Sequence, residues 1–402
     1  MLATAFLLLI PPGWARLDHL WAEDGARFYV DAVRSPLTTV IEPYGGYLHT
    51  LPRLVAELVA LLPLDWTAAG FAIAAAMLRA LVALITFAAS GAYLRSTPLR
   101  LALAALVIVL PAGNSETLNN MSNLHWFLLF GAFWALLWRD APRVPVAIFV
   151  FLAATSSPLA FVLAPIAVVR LFLPRKEVPI TFLAGLVVQG VAMLFASRTP
   201  YSHDAVDPVQ VLLASLLRVP VVAFTGSEKV NDFYPANGNL VILAALLIAA
   251  VPILAGLRFG DRPRRALVLA ATAYSVIVIV ACLVLNWAAI LQVQQPEVVM
   301  AGQRYSIAPC LFLFTAIFVG LDATPAKTWE RAVVGGSRYL IGFLVVVSVF
   351  WHLQEPGPVL KGVEWDESVA KARAQCATNV PEAQLVHEPK DWFFVLPCRS
   401  VG

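Results

Sequence analysis

The stretch WAEDGARFYVDA, Trp21–Ala32, sets an acidic pair among aromatics in a chain that is otherwise greasy. Apolar runs flank it, residues 2–13 before it and 67–94 after it, and their lengths decide the fold. The 402 residues are 60% hydrophobic and 13% charged, with mean hydropathy +0.79; an ordinary soluble domain carries about 25% charge. Runs of roughly 15 to 25 apolar residues recur along the chain, long enough to cross a bilayer. The period-two alternation of a spanning β-barrel is missing. The reading is an all-α polytopic membrane protein.

Candidate spans fall at roughly 2–13, 67–94, 99–112, 125–138, 144–155, 158–173, 179–196, 238–256, 266–286, 304–321 and 337–353, about eleven in all. The first is short and lacks a basic start, which fits a signal peptide poorly and points to an abbreviated N-terminus. Lys and Arg set the orientation. Every second connection is basic, carrying Arg95 and Arg100, Arg139 and Arg143, Arg170, Arg175 and Lys176, then Arg258 to Arg265, then Lys327, Arg331 and Arg338. That side holds about fourteen bases against about five acids, and the other about thirteen against about twenty, so the basic side is cytoplasmic. The N-terminus is then inside, while the WAEDG loop and the C-terminus are outside.

The chain divides into a transmembrane domain, 1–353, and a small outside tail, 354–402. The first outside loop covers 14–66 and a second long outside segment covers 197–237. Within them, LPRLVAELVALLP (Leu51–Pro63) and DPVQVLLASLLRVPVVAF (Asp207–Phe224) are apolar helices bearing Arg53, Glu57 and Arg218. Such helices suit the interface, or a dip beside a water-filled cavity. In the tail, WDESVAKARAQC reads as helix and DWFFVLPC as strand, an α+β cap too small for a catalytic domain of its own. Cys282 and Cys310 read as packing residues. Cys376 and Cys398 are either free thiols or a bridge closing about 22 residues, worth roughly 3 kcal/mol.

Soluble-enzyme motifs are missing: no phosphate-cradling glycine loop with Lys, no His-Glu-x-x-His, no Cys-x-x-Cys, no G-x-S-x-G. The cytoplasmic bases are topology signals and form no nucleic-acid patch. Glu23 and Asp24 therefore stand out. The plain reading makes Asp24 the N-cap of a helix over Gly25–Val33, supported by Glu23–Arg27 and Arg27–Asp31 at i,i+4. A cap needs only one such residue, however, and it leaves the turn-rich EPYGGYLH, Glu42–His49, unexplained.

WAEDGARF followed by YGGYLHTLPRL resembles a group of bacterial integral-membrane glycosyltransferases of the GT-C class. SSPLAFVLAP (Ser156–Pro165) and GQRYSIAP (Gly302–Pro309) are weaker echoes. The resemblance implies transfer of a sugar from a polyprenyl-phosphate donor to a glycan, lipid or protein acceptor. It also implies the outer face of a bacterial inner membrane and inverting chemistry.

That chemistry needs a base more than an acid, because a prenyl phosphate is a stable leaving group. Asp24 is assigned as the general base that takes the acceptor's proton. Glu23 either orients it or, with Asp24, holds a divalent cation such as Mg2+ or Mn2+. Arg304, at the outer start of an uncharged span, is the candidate grip on phosphate; an interface anchor is the alternative. Tyr305 beside it is a belt aromatic or a substrate contact. Tyr47 and His49 are placed to meet sugar, phosphate or acceptor, and a satisfied loop histidine is the plain reading of His49. NSETLNNMSNLHW (Asn114–Trp126) offers amides, Glu116, His125 and Trp126 to sugar hydroxyls and faces. Arg79, in mid-span, requires an interior partner, with Glu57 the candidate.

Two other classes compete. A flippase of lipid-linked saccharides would carry internal repeats and broken midplane helices, and no repeat is evident. A non-catalytic scaffold of a polysaccharide assembly complex would leave the acidic pair without a role.

Overall fold

The helix Ile307–Leu321 is apolar on every face, which places it inside the bundle. In the computed structural model, which describes residues 1–10, 15–112, 116–196, 206–285, 302–354 and 363–402, all 15 of its residues are buried. Helices Arg262–Leu285 and Asn239–Phe259 pack along it, as does His125–Leu137. The closest crossing is at Gly320, where a Cβ would collide with the Pro252 carbonyl. Beside it Phe130, Phe133 and Phe312 meet edge to face at 5.1–6.4 Å with Trp134 and Tyr274.

Among the described residues, 7 helices are long and apolar enough to cross a membrane. Six of them fall on spans read from the sequence. The seventh, Pro208–Thr225, was expected as an interfacial helix or a membrane dip and is long and apolar enough to cross. Arg218 argued against a span there, yet its side chain is fully enclosed and donates to the Gly302 carbonyl at 3.2 Å. Four other expected spans form the shorter helices Thr97–Val109, His125–Leu137, Arg143–Ala154 and Pro158–Arg170. A helix of 13 residues is about 20 Å long, short of the roughly 30 Å hydrocarbon core. The first run is helical only over Leu2–Leu9, and residues 11–14 lie outside the described residues.

Arg79 finds backbone instead of Glu57. Its guanidinium donates to the carbonyls of Val107 and Ile108 at 2.7 and 2.9 Å and lies over Phe127. Those carbonyls end the helix Thr97–Val109 and lack helical partners, so the buried charge and the orphan acceptors satisfy each other. Glu57 accepts the Leu37 amide instead, and Arg53 pairs with Asp31 at 2.9 Å, in place of the expected Arg27–Asp31 pair.

The basic connections meet on one face. Asp322, almost fully buried, accepts the amides of Arg95 and Ser96 at 2.7 and 3.1 Å and pairs with Arg264 at 3.3 Å. Arg139 reaches over Tyr93, just before the first of these connections.

In the tail, the helix Trp365–Cys376 packs on a two-stranded antiparallel sheet, β1 (Glu382–His387) and β2 (Trp392–Pro397), with Leu385 opposite Phe394. β1 was not read from the sequence. Cys376 and Cys398 are bridged. The tail docks on the first loop: Trp365 donates its indole N–H to Leu64 at 2.8 Å, and Arg373 forks onto Asp65 at 2.8 and 2.7 Å.

Candidate active site around the WAEDG segment

Trp21 enters the site as one side of a parallel bridge to Glu388 of the tail, whose amide donates to Leu20 at 3.0 Å. The next residue, Ala22, has φ +25°, a backbone that a Cβ makes costly by about 1–3 kcal/mol. Asp24–Tyr29 then winds as a π-helix rather than the expected α-helix, a form enriched at functional sites. At Gly25 a Cβ would come within 2.8 Å of the Leu20 side chain and 3.0 Å of Phe394, so a larger residue would push Leu20 aside. The glycine of the motif thus records the tail's docking.

Asp24 caps a segment, but not its own. Its two carboxylate oxygens accept the amides of Met121 and Ser122, each at 2.8 Å, and the residue is 1% exposed. Burial pushes its carboxyl up to about 7; the two amides and Arg16 act against that, and Glu23 adds to it. Arg16 is itself buried, lies 4.6 Å over the Trp21 ring and feels both Glu388 and Asp24. The expected i,i+4 pairs of Arg27 are replaced: its guanidinium lies over Tyr44 at 5.2 Å.

Glu23 is different. It is half-buried, and among the described residues its carboxylate makes no hydrogen bond or ion pair. It faces Tyr47, whose phenol is pushed up by burial, Glu23 and Tyr305, with Arg304 pulling down. Tyr47 is delivered by a turn in which Gly45 and Gly46 take φ +60° and +89° and Tyr44 and Tyr47 pair across it. The two glycines are there because such dihedrals exclude most side chains.

Arg304 meets Glu116 in an ion pair, with the guanidinium still 37% exposed against 17% for the carboxylate. It also lies 5.0 Å over Tyr305, which packs edge-on against Trp126 at 5.3 Å. Tyr305 is therefore a buried wall of the site rather than a membrane-belt aromatic. His125 donates to the Ser122 carbonyl at 2.9 Å and lies 4.5 Å from the Trp126 ring, with part of its surface open.

His49 is a buried loop histidine with one ring nitrogen bonded and Nδ1 enclosed without a partner. It is 4% exposed, donates Nε2–H to the Tyr44 carbonyl and is boxed by Phe28, Tyr44 and Tyr47. Burial depresses it to about 3, so it is neutral. The amides of the 116–124 loop are also spent on structure: Asn119 donates to Leu7, Asn120 to Glu116 and Asn123 to Asn120. Asn114 lies outside the described residues.

All seven residues singled out by sequence thus belong to one neighbourhood. Glu23, Tyr47, His125 and Arg304 keep open surface, while Asp24, His49 and Tyr305 form the supporting wall. Sequence reasoning missed Arg16 and Glu388, which carry no local signal, and it undervalued Glu116. Among the described residues no group of three or more His, Cys, Asp or Glu gathers as a metal site. Each of Asp24's oxygens already holds one amide, which leaves one lone pair apiece. No protein-family model, curated protein or solved structure matches this chain.

Proposed function

We propose that this chain is a membrane glycosyltransferase that moves a sugar from a polyprenyl-phosphate carrier to an acceptor hydroxyl, at the end of the bundle where Glu23, Tyr47, His125 and Arg304 meet. The observation that carries the reading is an unengaged carboxylate, Glu23, and a partly exposed arginine side chain, Arg304, that both act electrostatically on Tyr47.

Glu23 takes the proton of the acceptor hydroxyl as its oxygen bonds to the sugar's anomeric carbon. The bond from that carbon to the carrier phosphate breaks, and the electron pair leaves on phosphate, which Arg304 neutralises. Attack opposite the leaving group inverts the anomeric centre. Asp24 is the positioning residue: it fixes the 121–122 turn against the first loop and so sets where Glu23 and His125 lie. The base role, first assigned to Asp24, moves one residue because Asp24 is sealed by two amides. The mechanism takes no step through a divalent ion. By the charge bias the site and tail face the outside of the membrane, with the N-terminus in the cytoplasm.

Purified full-length protein in liposomes, supplied with a panel of radiolabelled hexosyl and pentosyl polyprenyl phosphates and a cell-envelope extract as acceptor, tests this. Label should leave one of the carriers for a product. Retention of label on every carrier would contradict the proposal.

A further inference from the structure

On the basic face, Arg139, Asp140, Arg170, Leu173, Pro174 and Arg175 line an open cavity of about 400 Å³. We infer that this cavity binds a phosphate group, the headgroup of an anionic lipid or a free phosphate, held by Arg139, Arg170 and Arg175.

Arg170 carries the argument. It is 8% exposed, makes no hydrogen bond or ion pair among the described residues, and its Nε is fully enclosed without an acceptor. With Nε enclosed and no acceptor supplied by the protein, its charge is left poorly solvated, and an anion in the cavity would relieve that cost. The protein supplies little negative charge. Asp140 is the one carboxylate lining the cavity; its side chain is 92% exposed and lies 3.9 Å from Arg175. Glu177 nearby is already paired with Arg143 at 3.3 Å.

The other two arginines are placed from separate elements. Arg139 leaves the helix His125–Leu137 and rests on Tyr93 at 5.3 Å. Arg175 has φ +65°, a strained backbone for a side chain of its size, and donates to the Ala141 carbonyl, tying the two connections together. Three guanidiniums, from a helix end and the two connections beside it, suit the unesterified oxygens of a phosphate. The setting favours a lipid source. Val168, Val169 and Phe172 beside the cavity are 45%, 62% and 83% exposed, an apolar flank for acyl chains, and the basic face is where inner-leaflet headgroups lie.

The test uses full-length protein in neutral detergent, titrated separately with dioctanoyl-phosphatidylglycerol, dioctanoylglycerol and inorganic phosphate by calorimetry. Phosphatidylglycerol should bind saturably and dioctanoylglycerol should not. Competition by inorganic phosphate at similar concentration assigns the site to free phosphate, and lack of competition assigns it to the lipid. R170M should weaken binding about tenfold or more, and R139Q, at an exposed position, by several-fold, while R331Q on the same face leaves it unchanged. R139Q carries the test alone if R170M does not fold. Equal binding by R139Q and wild type, or no saturable binding of either phosphate compound, would overturn the inference.

Discussion

The carboxylate of Asp24 accepts the backbone N–H of Ser122 at 2.8 Å, with the Met121 amide at the same distance on its other oxygen. Residues 97 and 98 apart in sequence are thereby locked at the mouth of the candidate site. Asp24→Ala leaves two buried amides without acceptors and should lower stability by about 3 kcal/mol, read by thermal unfolding in detergent. An unchanged melting temperature would show that the turn is held by other contacts.

Arg304 is the second tested contact. Replacing it with Ala removes the guanidinium beside Glu116 and should raise the KM for the prenyl-phosphate donor by about tenfold, with a smaller change for the acceptor. Equal effects on both substrates would remove its role on phosphate.

The tail is predicted to be a structural clamp on the first loop. Trp365 is buried at 1% exposure and bonded to Leu64, so Trp365→Ala should cost about 3–5 kcal/mol of local stability. Limited proteolysis should then cut the tail faster than in wild type. The exposed Arg373–Asp65 fork should matter much less, by about 1 kcal/mol at most. A tail equally resistant in the Trp365 variant would refute the clamp.

Stability should also carry a histidine signature. His387 is held at about 4 by burial, below its ordinary 6.5, with the carbonyls of Glu388 and Leu20 acting the other way. The folded state therefore binds its proton less readily than the unfolded chain. Its contribution is complete above about pH 6.5 and is lost as pH falls toward 4. Asp24 runs in the opposite sense: with a folded value of about 7 above the ordinary 3.8, its contribution is complete below about 4 and declines as pH rises toward 7. The two overlap, so the measurement is a difference. Wild type should lose more melting temperature than His387→Phe between pH 6.5 and 4, and parallel curves would contradict this.

The sequence made the membrane character legible, and it picked out residues that the structure brings together, because both are written locally: apolar runs of spanning length, and carboxylates and aromatics bunched in a few turns. The tail helix and its second strand were legible for the same reason. What could not be read was pairing over distance. Arg218 marked its helix as polar on one face because its partner, the carbonyl of Gly302, lies 84 residues away. Arg79 was given a carboxylate partner because carbonyls at a helix end leave no mark in a sequence. The amides that engage Asp24 are backbone groups, equally invisible, so the sequence put the base on Asp24 when only Glu23 keeps a free face.

The central claim is that Glu23 accepts the acceptor's proton while Asp24 only holds it in place. The direct measurement is kcat for sugar transfer from the prenyl-phosphate donor by Glu23→Gln, alongside its melting temperature. The account predicts a fall in kcat of about a hundredfold or more, with the melting temperature within a few degrees of wild type. Full activity in Glu23→Gln would contradict it.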